Sequence, residues 1–348
     1  MHARRSGGNA IGPMSGTWAL AGLGGPWRAE PARATTESDE TRRGTTVQCG
    51  HETTTGTYYE VLGEGQLAPA VLMIPGGGAT GACFLADLTG RPGWADQLAR
   101  SGHEVWVADW PGCGRSGNRL LTDIVYDDVV EGYRRLLRDV IGHPVAIVCH
   151  SMGAAVAWQL VEQEPDLVTG VVGLGAAFPG NLSSPSEIVS ESGTVVTVRS
   201  PLSGAVFVVD LSRGWLYEDD YIYRQGISTS THFPMHLVDR MRAGFIPIPP
   251  KMVLQRLCVL SGLPRVEDSS GFRGMRVRLV TGTEDPAHTL ALESATADLL
   301  RSWGADAEVV WLGDRGIEGN GHFLFFEDNA DEILRVVAEQ VTFVSQRR

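Results

Sequence analysis

Three residues, Ser151, Asp285 and His322, are of the types and in the chain order that acyl transfer needs. Ser151 lies in VAIVCHSMGAAVAWQL, residues 145–160, where an apolar β-branched run meets a small polar knot and then an alanine-rich helical pattern. A serine that ends a strand and opens a helix is held on a sharp turn, its hydroxyl exposed and the positive end of the helix dipole beside it. The shorter pattern S-x-G occurs at Ser6, Ser151, Ser212, Ser269 and Ser302. Only Ser151 among these follows a strand pattern and begins a helical one. In the fuller pattern G-x-S-x-G the first glycine is replaced here by Cys149, whose expected part is that of a small, unreactive residue behind the turn. The competing part for Ser151 is that of a helix cap.

A serine hydroxyl needs a base, and the base needs an acid that orients it. On an open α/β sheet these residues come in the order serine, acid, histidine. Of the nine histidines, only His288 and His322 follow the long irregular interval described below. His322, in GIEGNGHFLFFED, sits in a Gly/Asn loop between the last strand pattern and the terminal helix, which makes it the expected base. His150 adjoins Ser151, but neighbouring side chains on such a turn diverge, so a packing or pocket position is expected. For the acid, TGTEDP follows the strand pattern RVRLV; Asp285 is preferred and Glu284 is its nearest rival. A turn made with Pro286 is the alternative use of Asp285. The run Pro75-Gly76-Gly77-Gly78 follows AVLMI, and glycines let backbone N–H groups approach a substrate closely. Gly77, Gly78 and the residue after the serine, Met152, are the expected oxyanion donors. A phosphate loop is disfavoured, because no Gly-Lys-Ser/Thr follows and the one lysine is Lys251.

The elements that must carry these residues are legible from Thr57 onward. Short β-branched or aromatic runs (TYYEVLGEG, APAVLMIPGGG, HEVWVADWPGCGRSG, PVAIVCHSMG, VTGVVGLGAAFPG, MRVRLVTGTEDP, AEVVWLGD) alternate with helical stretches such as WADQLARSG and ALESATADLLRSWG. That alternation predicts an α/β fold: a mostly parallel central sheet with helices covering both faces. It fails between about Pro179 and Phe272, an interval too long for a plain connection. The expected organisation is therefore a flexible tail over 1–45, a core over 46–178 and 273–348, and a cap insertion over 179–272, above the C-terminal edge of the sheet.

The composition, 43% apolar and 20% charged, is that of a globular enzyme. A net charge of -12 argues against nucleic acid and anionic membrane as partners. No apolar run reaches the roughly 20 residues of a membrane helix. Five cysteines without CxxC pairs indicate neither a zinc site nor a disulfide framework, and an odd number suits a reducing compartment. Arg4 and Arg5 before TWALAGLGG suggest a twin-arginine export signal, but glycines break its apolar run, so a cytoplasmic location is expected.

Over residues 57 to 345 the chain resembles the α/β-hydrolase superfamily. Within it, PGGGATGACF, TGRPGWADQLARSGHEVWVADWPGCGRSG, CHSMG and DRGIEGNGHFLFFEDN resemble the esterase 713-like group of bacterial hydrolases. The resemblance implies cofactor-independent hydrolysis of a carboxylic ester or related acyl compound, with Ser151 as nucleophile, His322 as base and Gly76 to Gly78 in the oxyanion hole. It also implies a glutamate acid at the end of the strand after the nucleophile helix, where this chain has Gly175, Ala176 and Ala177. Relocation of the acid to Asp285 is the expectation.

A serine nucleophile speaks against dehalogenase and epoxide hydrolase chemistry, which needs aspartate there. Esterase, lactonase, thioesterase, amidase, acyltransferase and C–C hydrolase remain open, as does a noncatalytic ligand-binding member. The expected partner is a small-molecule acyl substrate; a homodimer is compatible with the chain, and no cofactor or metal is implied. His232 and His236 have metal-like spacing, but Pro234 between them favours packing. Trp215, Tyr217, Tyr221 and Tyr223 are expected in the core of the insertion, with a pocket wall as their alternative use. Trp110 belongs to a loop that could touch substrate.

Overall fold

The computed structural model describes residues 47–63, 68–117, 119–201, 204–219 and 221–346. The expected tail and its Arg4-Arg5 segment lie outside the described residues. The first half of the chain builds β1 (Val47–His51), β2 (Tyr58–Leu62), β3 (Val71–Ile74), the short α1 (Ala82–Leu85), α2 (Trp94–Arg100) and β4 (Val105–Ala108). It continues through α3 (Tyr126–Arg135), β5 (Val145–His150), α4 (Gly153–Gln163) and β6 (Val168–Leu174). After an interval described below, β10 (Arg276–Thr281), α7 (Leu290–Ser302), β11 (Asp306–Trp311) and α8 (Ala330–Ser345) complete the core.

Eight strands form one sheet in the order β1-β2-β4-β3-β5-β6-β10-β11. The pairs β1/β2 and β2/β4 are antiparallel and the others parallel. Alternation of side chains along each strand divides the core in two, as the period of two requires. Leu72, Ile74, Ile147 and Cys149 join the side chains of α3, α4 and α7. Val71, Met73, Ala146 and Val148 join those of α2 and α8 on the other face. Burial on both faces is why β3, β4 and β5 read as unbroken apolar runs, each large aliphatic side chain contributing about 1.5–3 kcal/mol. The edge strand β1, VQCGH, is almost wholly exposed and shows no apolar pattern, which is why the sequence reading begins only at Thr57.

The interval between β6 and β10 has its own three-stranded antiparallel sheet, β7 (Glu187–Ser192), β8 (Val195–Arg199) and β9 (Val206–Asp210), followed by α5 (Val238–Gly244) and α6 (Pro250–Arg256). Several hydrogen bonds stitch it to the core, and those nearest the serine loop and the Asp285 loop matter here. Ile246 N–H donates to Gly78 O at 2.8 Å. Thr231 donates from its N–H and hydroxyl to the two oxygens of Glu284, at 2.6 and 3.0 Å, and Ser230 donates to Glu327 at 2.8 Å. Among the described residues no helix is long and apolar enough to cross a membrane.

Candidate active site

Ser151 follows β5 directly and precedes α4. Its φ of +49° places it in the left-handed region, one of three non-glycine residues there among those described. That conformation costs a serine energy and needs support from its surroundings. The support is a set of backbone bonds: Ser151 N–H donates to Leu174 O, and Ser151 O accepts from the N–H groups of Ala154 and Ala177, each at 3.0 Å. Close approach explains the glycines nearby. A Cβ on Gly153 would lie 2.5 Å from Pro75 O, and one on Gly76 would lie 2.9 Å from Ser151 Cβ. Cys149 tolerates its position because it faces Gly173 across the sheet and is fully buried. Burial pushes its thiol pKa far up, the unreactive state expected of it.

His322 Nδ1–H donates to Asp285 Oδ2 at 2.7 Å, which leaves Nε2 to accept from the Ser151 hydroxyl at 3.0 Å. All three side chains are largely buried. Asp285 Oδ1 accepts from the N–H groups of Ala287 and His288, at 2.9 and 3.1 Å. Burial pushes the Asp285 pKa up, but the charge and hydrogen bond of His322, with help from His288 and the Ala287 N–H, hold its carboxyl well below the usual range. Glu284, the rival, points the other way and is taken up by Thr231.

The loop 75–81 runs alongside the serine. Among the described residues the N–H groups of Gly77, Gly78 and Met152 have no protein acceptor. Their loop is anchored on four sides: Trp110 Nε1 donates to Pro75 O, Gly81 N–H to Asp109, the Tyr217 hydroxyl to Gly77 O, and Ile246 N–H to Gly78 O. Trp110 is thus a buried support for the loop. Of the four expected aromatics, Tyr217 and Tyr221 stack at 5.7 Å, and Tyr217 also packs on Phe245, which meets Phe323 beside His322. A Cβ on Gly78 would lie 2.9 Å from the Tyr217 ring. Trp215 contacts β9 through its indole N–H, and Tyr223 binds Asp239, both within the insertion.

Three neighbours escaped the sequence reading. Gly175, at the end of β6, has φ +48°, and a Cβ there would lie 3.0 Å from both Asp285 Oδ2 and His322 Nδ1. The place the resemblance assigned to a glutamate is therefore filled by the Asp285–His322 contact. His288 stacks on His322 with rings 5.0 Å apart and 11° from parallel, and its Nδ1 is 2.9 Å from Glu293 Oε1. No local pattern marks these two; a histidine in a turn and a glutamate in the first turn of a helix are commonplace. His150, expected as a pocket or packing residue, is packed: its ring lies between His322, Phe323 and Phe325, and Nε2–H donates to His322 O. Burial, then the neighbouring His322, lowers its pKa far below the ordinary value and keeps it neutral.

A parallel-rich sheet with a strained serine turn at the end of a central strand defines the α/β-hydrolase class of fold. The model of the alpha/beta hydrolase family matches residues 71–336, and the chain belongs to that family. It is 24% identical over 325 residues to a probable secreted lipase, phiG, of a fungal species (strain ATCC 74256), covering 77% of this chain and 80% of the relative. A monoacylglycerol lipase of Paleococcus ferrophilus shares the fold with a TM-score of 0.55 at 17% identity, over 83% of this chain and 99% of its own. The methylesterase MES16 of Arabidopsis does so with a TM-score of 0.53 at 18% identity, over 79% and 100%.

Proposed function

We propose that the protein is a serine hydrolase that cleaves a carboxylic ester through an acyl-enzyme. Ser151 Oγ attacks the acyl carbon while its proton passes to His322 Nε2, and Asp285 stabilises the imidazolium and fixes the ring through Nδ1. The carbonyl oxygen, now negative, is met by the free N–H groups of Gly77, Gly78 and Met152. Collapse expels the alcohol, which takes the proton back from His322; water then repeats the sequence on the acyl-serine. The observation that carries this reading is the continuous hydrogen-bonded chain Asp285–His322–Ser151, set beside three N–H groups that have no protein acceptor among the described residues.

The insertion acts in this reading as a cap. Tyr217 reaches the loop at Gly77 and Gly78, Tyr221 stacks on Tyr217, and Phe245 meets Phe323 beside His322, an aromatic wall that suits an apolar acyl group. The lipase and esterase names of the similar proteins agree with an ester substrate. The esterase 713-like resemblance is retained for the loops around the serine, with the acid moved to Asp285.

Labelling by a fluorophosphonate probe, with turnover of p-nitrophenyl esters of increasing chain length, tests the reading. Label on Ser151 that disappears in Ser151→Ala is expected. Folded protein that takes no label would sink it and favour a noncatalytic ligand-binding protein.

A further inference from the structure

Behind the chain of Asp285, His322 and Ser151 lies a second histidine and carboxylate that the acyl-transfer steps do not use. His288 is 2% exposed and Glu293 is not exposed at all. Glu293 Oε1 faces His288 Nδ1 at 2.9 Å, and Glu293 Oε2 is buried with no hydrogen-bond partner. The His288 ring is stacked on the ring of His322, the group that must gain a charge during the reaction.

Such a pair holds one proton between Oε1 and Nδ1 in any of three ways. It is a carboxylate facing an imidazolium, a carboxylate facing a neutral imidazole that keeps its proton on Nδ1, or a carboxylic acid facing a neutral imidazole protonated on Nε2. Two features of the geometry decide among them. A carboxylate would leave one of its charged oxygens in the interior without a donor, which is costly, whereas an acid that donates from Oε1 leaves only an uncharged carbonyl there. An imidazolium at 288 would also lie face to face with the imidazolium that His322 becomes, and like charges at that distance disfavour each other.

We propose that Glu293 is a buried neutral acid that donates to His288 Nδ1, holding His288 as an uncharged ring beneath His322 and so preserving the basicity of His322. Glu293 and His288 are positioning residues in this account; neither reaches the acyl group. Atoms and charge balance within the pair. The proton stays on Glu293 Oε1, the second His288 proton stays on Nε2, and the proton from Ser151 goes to His322 alone.

The surroundings agree. The ionisable groups acting on the pair are Asp285 on the preceding loop, His322 on the loop before α8, and Cys149 and His150 at the end of β5. Cys149 and His150 are held uncharged by burial. Asp285 keeps the one carboxylate charge, matched to His322. For Glu293, burial is the largest influence and raises its pKa; Asp285 reinforces it, while His288 and His322 oppose it.

The proposal rests on His322 being the catalytic base, so its test reads the histidines directly as well as turnover. In Glu293→Gln, the amide donates to Nδ1 as the acid does: kcat/KM and its pH profile stay those of the parent. In Glu293→Leu, the unpaired Nδ1 is open to protonation; kcat falls about tenfold or more with little change in KM, and the acid limb of the profile moves to lower pH. Nitrogen-15 NMR of the unsubstituted protein supplies the second measurement. His288 shows a protonated Nε2 and an unprotonated Nδ1 throughout about pH 5 to 8. The His322 midpoint is unchanged in Glu293→Gln and lower in Glu293→Leu. An imidazolium signal from His288 in that range, or a Glu293→Gln variant as impaired as Glu293→Leu, overturns the proposal. Because the NMR midpoints need no substrate, failure of the pair is distinguishable from failure of the hydrolase reading, which would appear as absent probe label with the titrations intact.

Discussion

Two histidine–carboxylate pairs stand one behind the other in this molecule, Asp285–His322 and Glu293–His288, with their imidazole rings 5.0 Å apart. They have the same chemistry and opposite electrostatics. Asp285 accepts three hydrogen bonds and its carboxyl is held well below the ordinary range, whereas Glu293 has one oxygen with no partner and is pushed up by burial. Burial acts in the same direction on both. What separates them is the supply of donors: two turn N–H groups and an imidazole overcome desolvation for Asp285, and nothing comparable is aimed at Glu293. In the proposed account a histidine beside a carboxylate is therefore an ion-pairing base in one place and a neutral support in the other.

The harshest way to break this contrast is to remove the charge from the front pair. Asp285→Asn is expected to lower kcat by about four decades, because the amide cannot hold the His322 tautomer that leaves Nε2 free. Steady-state kinetics with a p-nitrophenyl ester checks it, and an unaffected rate would place the acid elsewhere. The matching carboxyl-to-amide change behind it, Glu293→Gln, is expected to leave the rate intact.

Geometry offers a gentler probe. Gly175→Ala adds a methyl at 3.0 Å from both Asp285 Oδ2 and His322 Nδ1, on a backbone with φ +48°. A displacement of that contact by a few tenths of an ångström to one ångström predicts a loss of up to about 10²-fold in kcat, with the fluorophosphonate reaction slowed in parallel. Equal rates for Gly175→Ala and parent would show that the front pair tolerates displacement.

The smallest expected effect is on stability against pH, and the two pairs should give slopes of opposite sign. Asp285 has a depressed pKa in the native state. Below its unfolded value of about 3.9 the unfolded chain binds the extra proton, so the stability it contributes is present above that value and is lost as pH falls toward the native one. Glu293 has a raised pKa. Above its unfolded value of about 4.3 the native state binds the extra proton, so stability declines as pH rises until the native value is passed. Urea midpoints across that acid range should show a Glu293→Gln variant missing the decline, and Asp285→Asn missing the loss at the lowest pH. A Glu293→Gln curve parallel to the parent would mean that Glu293 titrates as an ordinary carboxyl.

Much of this arrangement is legible in the chain. The apolar runs of β3, β4 and β5 are strong because both faces of the sheet are covered, and the strand-to-helix context picks Ser151 out of five S-x-G matches. His322 stands out for a similar reason: it lies in the loop after the last core strand. Edge elements are not legible, since β1 and β7 are exposed and carry no alternation that burial would demand. Nor was the choice between Glu284 and Asp285, because adjacent residues at a strand end send their side chains to opposite sides and either carboxylate suits the letters. The aromatic group of the insertion divided, with Tyr217 and Tyr221 on the site and Trp215 and Tyr223 within the insertion, a division that depends on how the chain returns to Gly78 at Ile246.

The sequence by itself determined the parallel sheet, the serine turn and the loop that carries His322, since these follow from local periodicity, small residues and chain order. Only the tertiary structure decided that Asp285 and not Glu284 meets His322, that Gly175 must lack a side chain, and that His288 and Glu293 stand behind the site. Each of these depends on which side chains from distant segments converge within hydrogen-bond distance and how many donors reach each buried oxygen, quantities that no local pattern in the chain encodes.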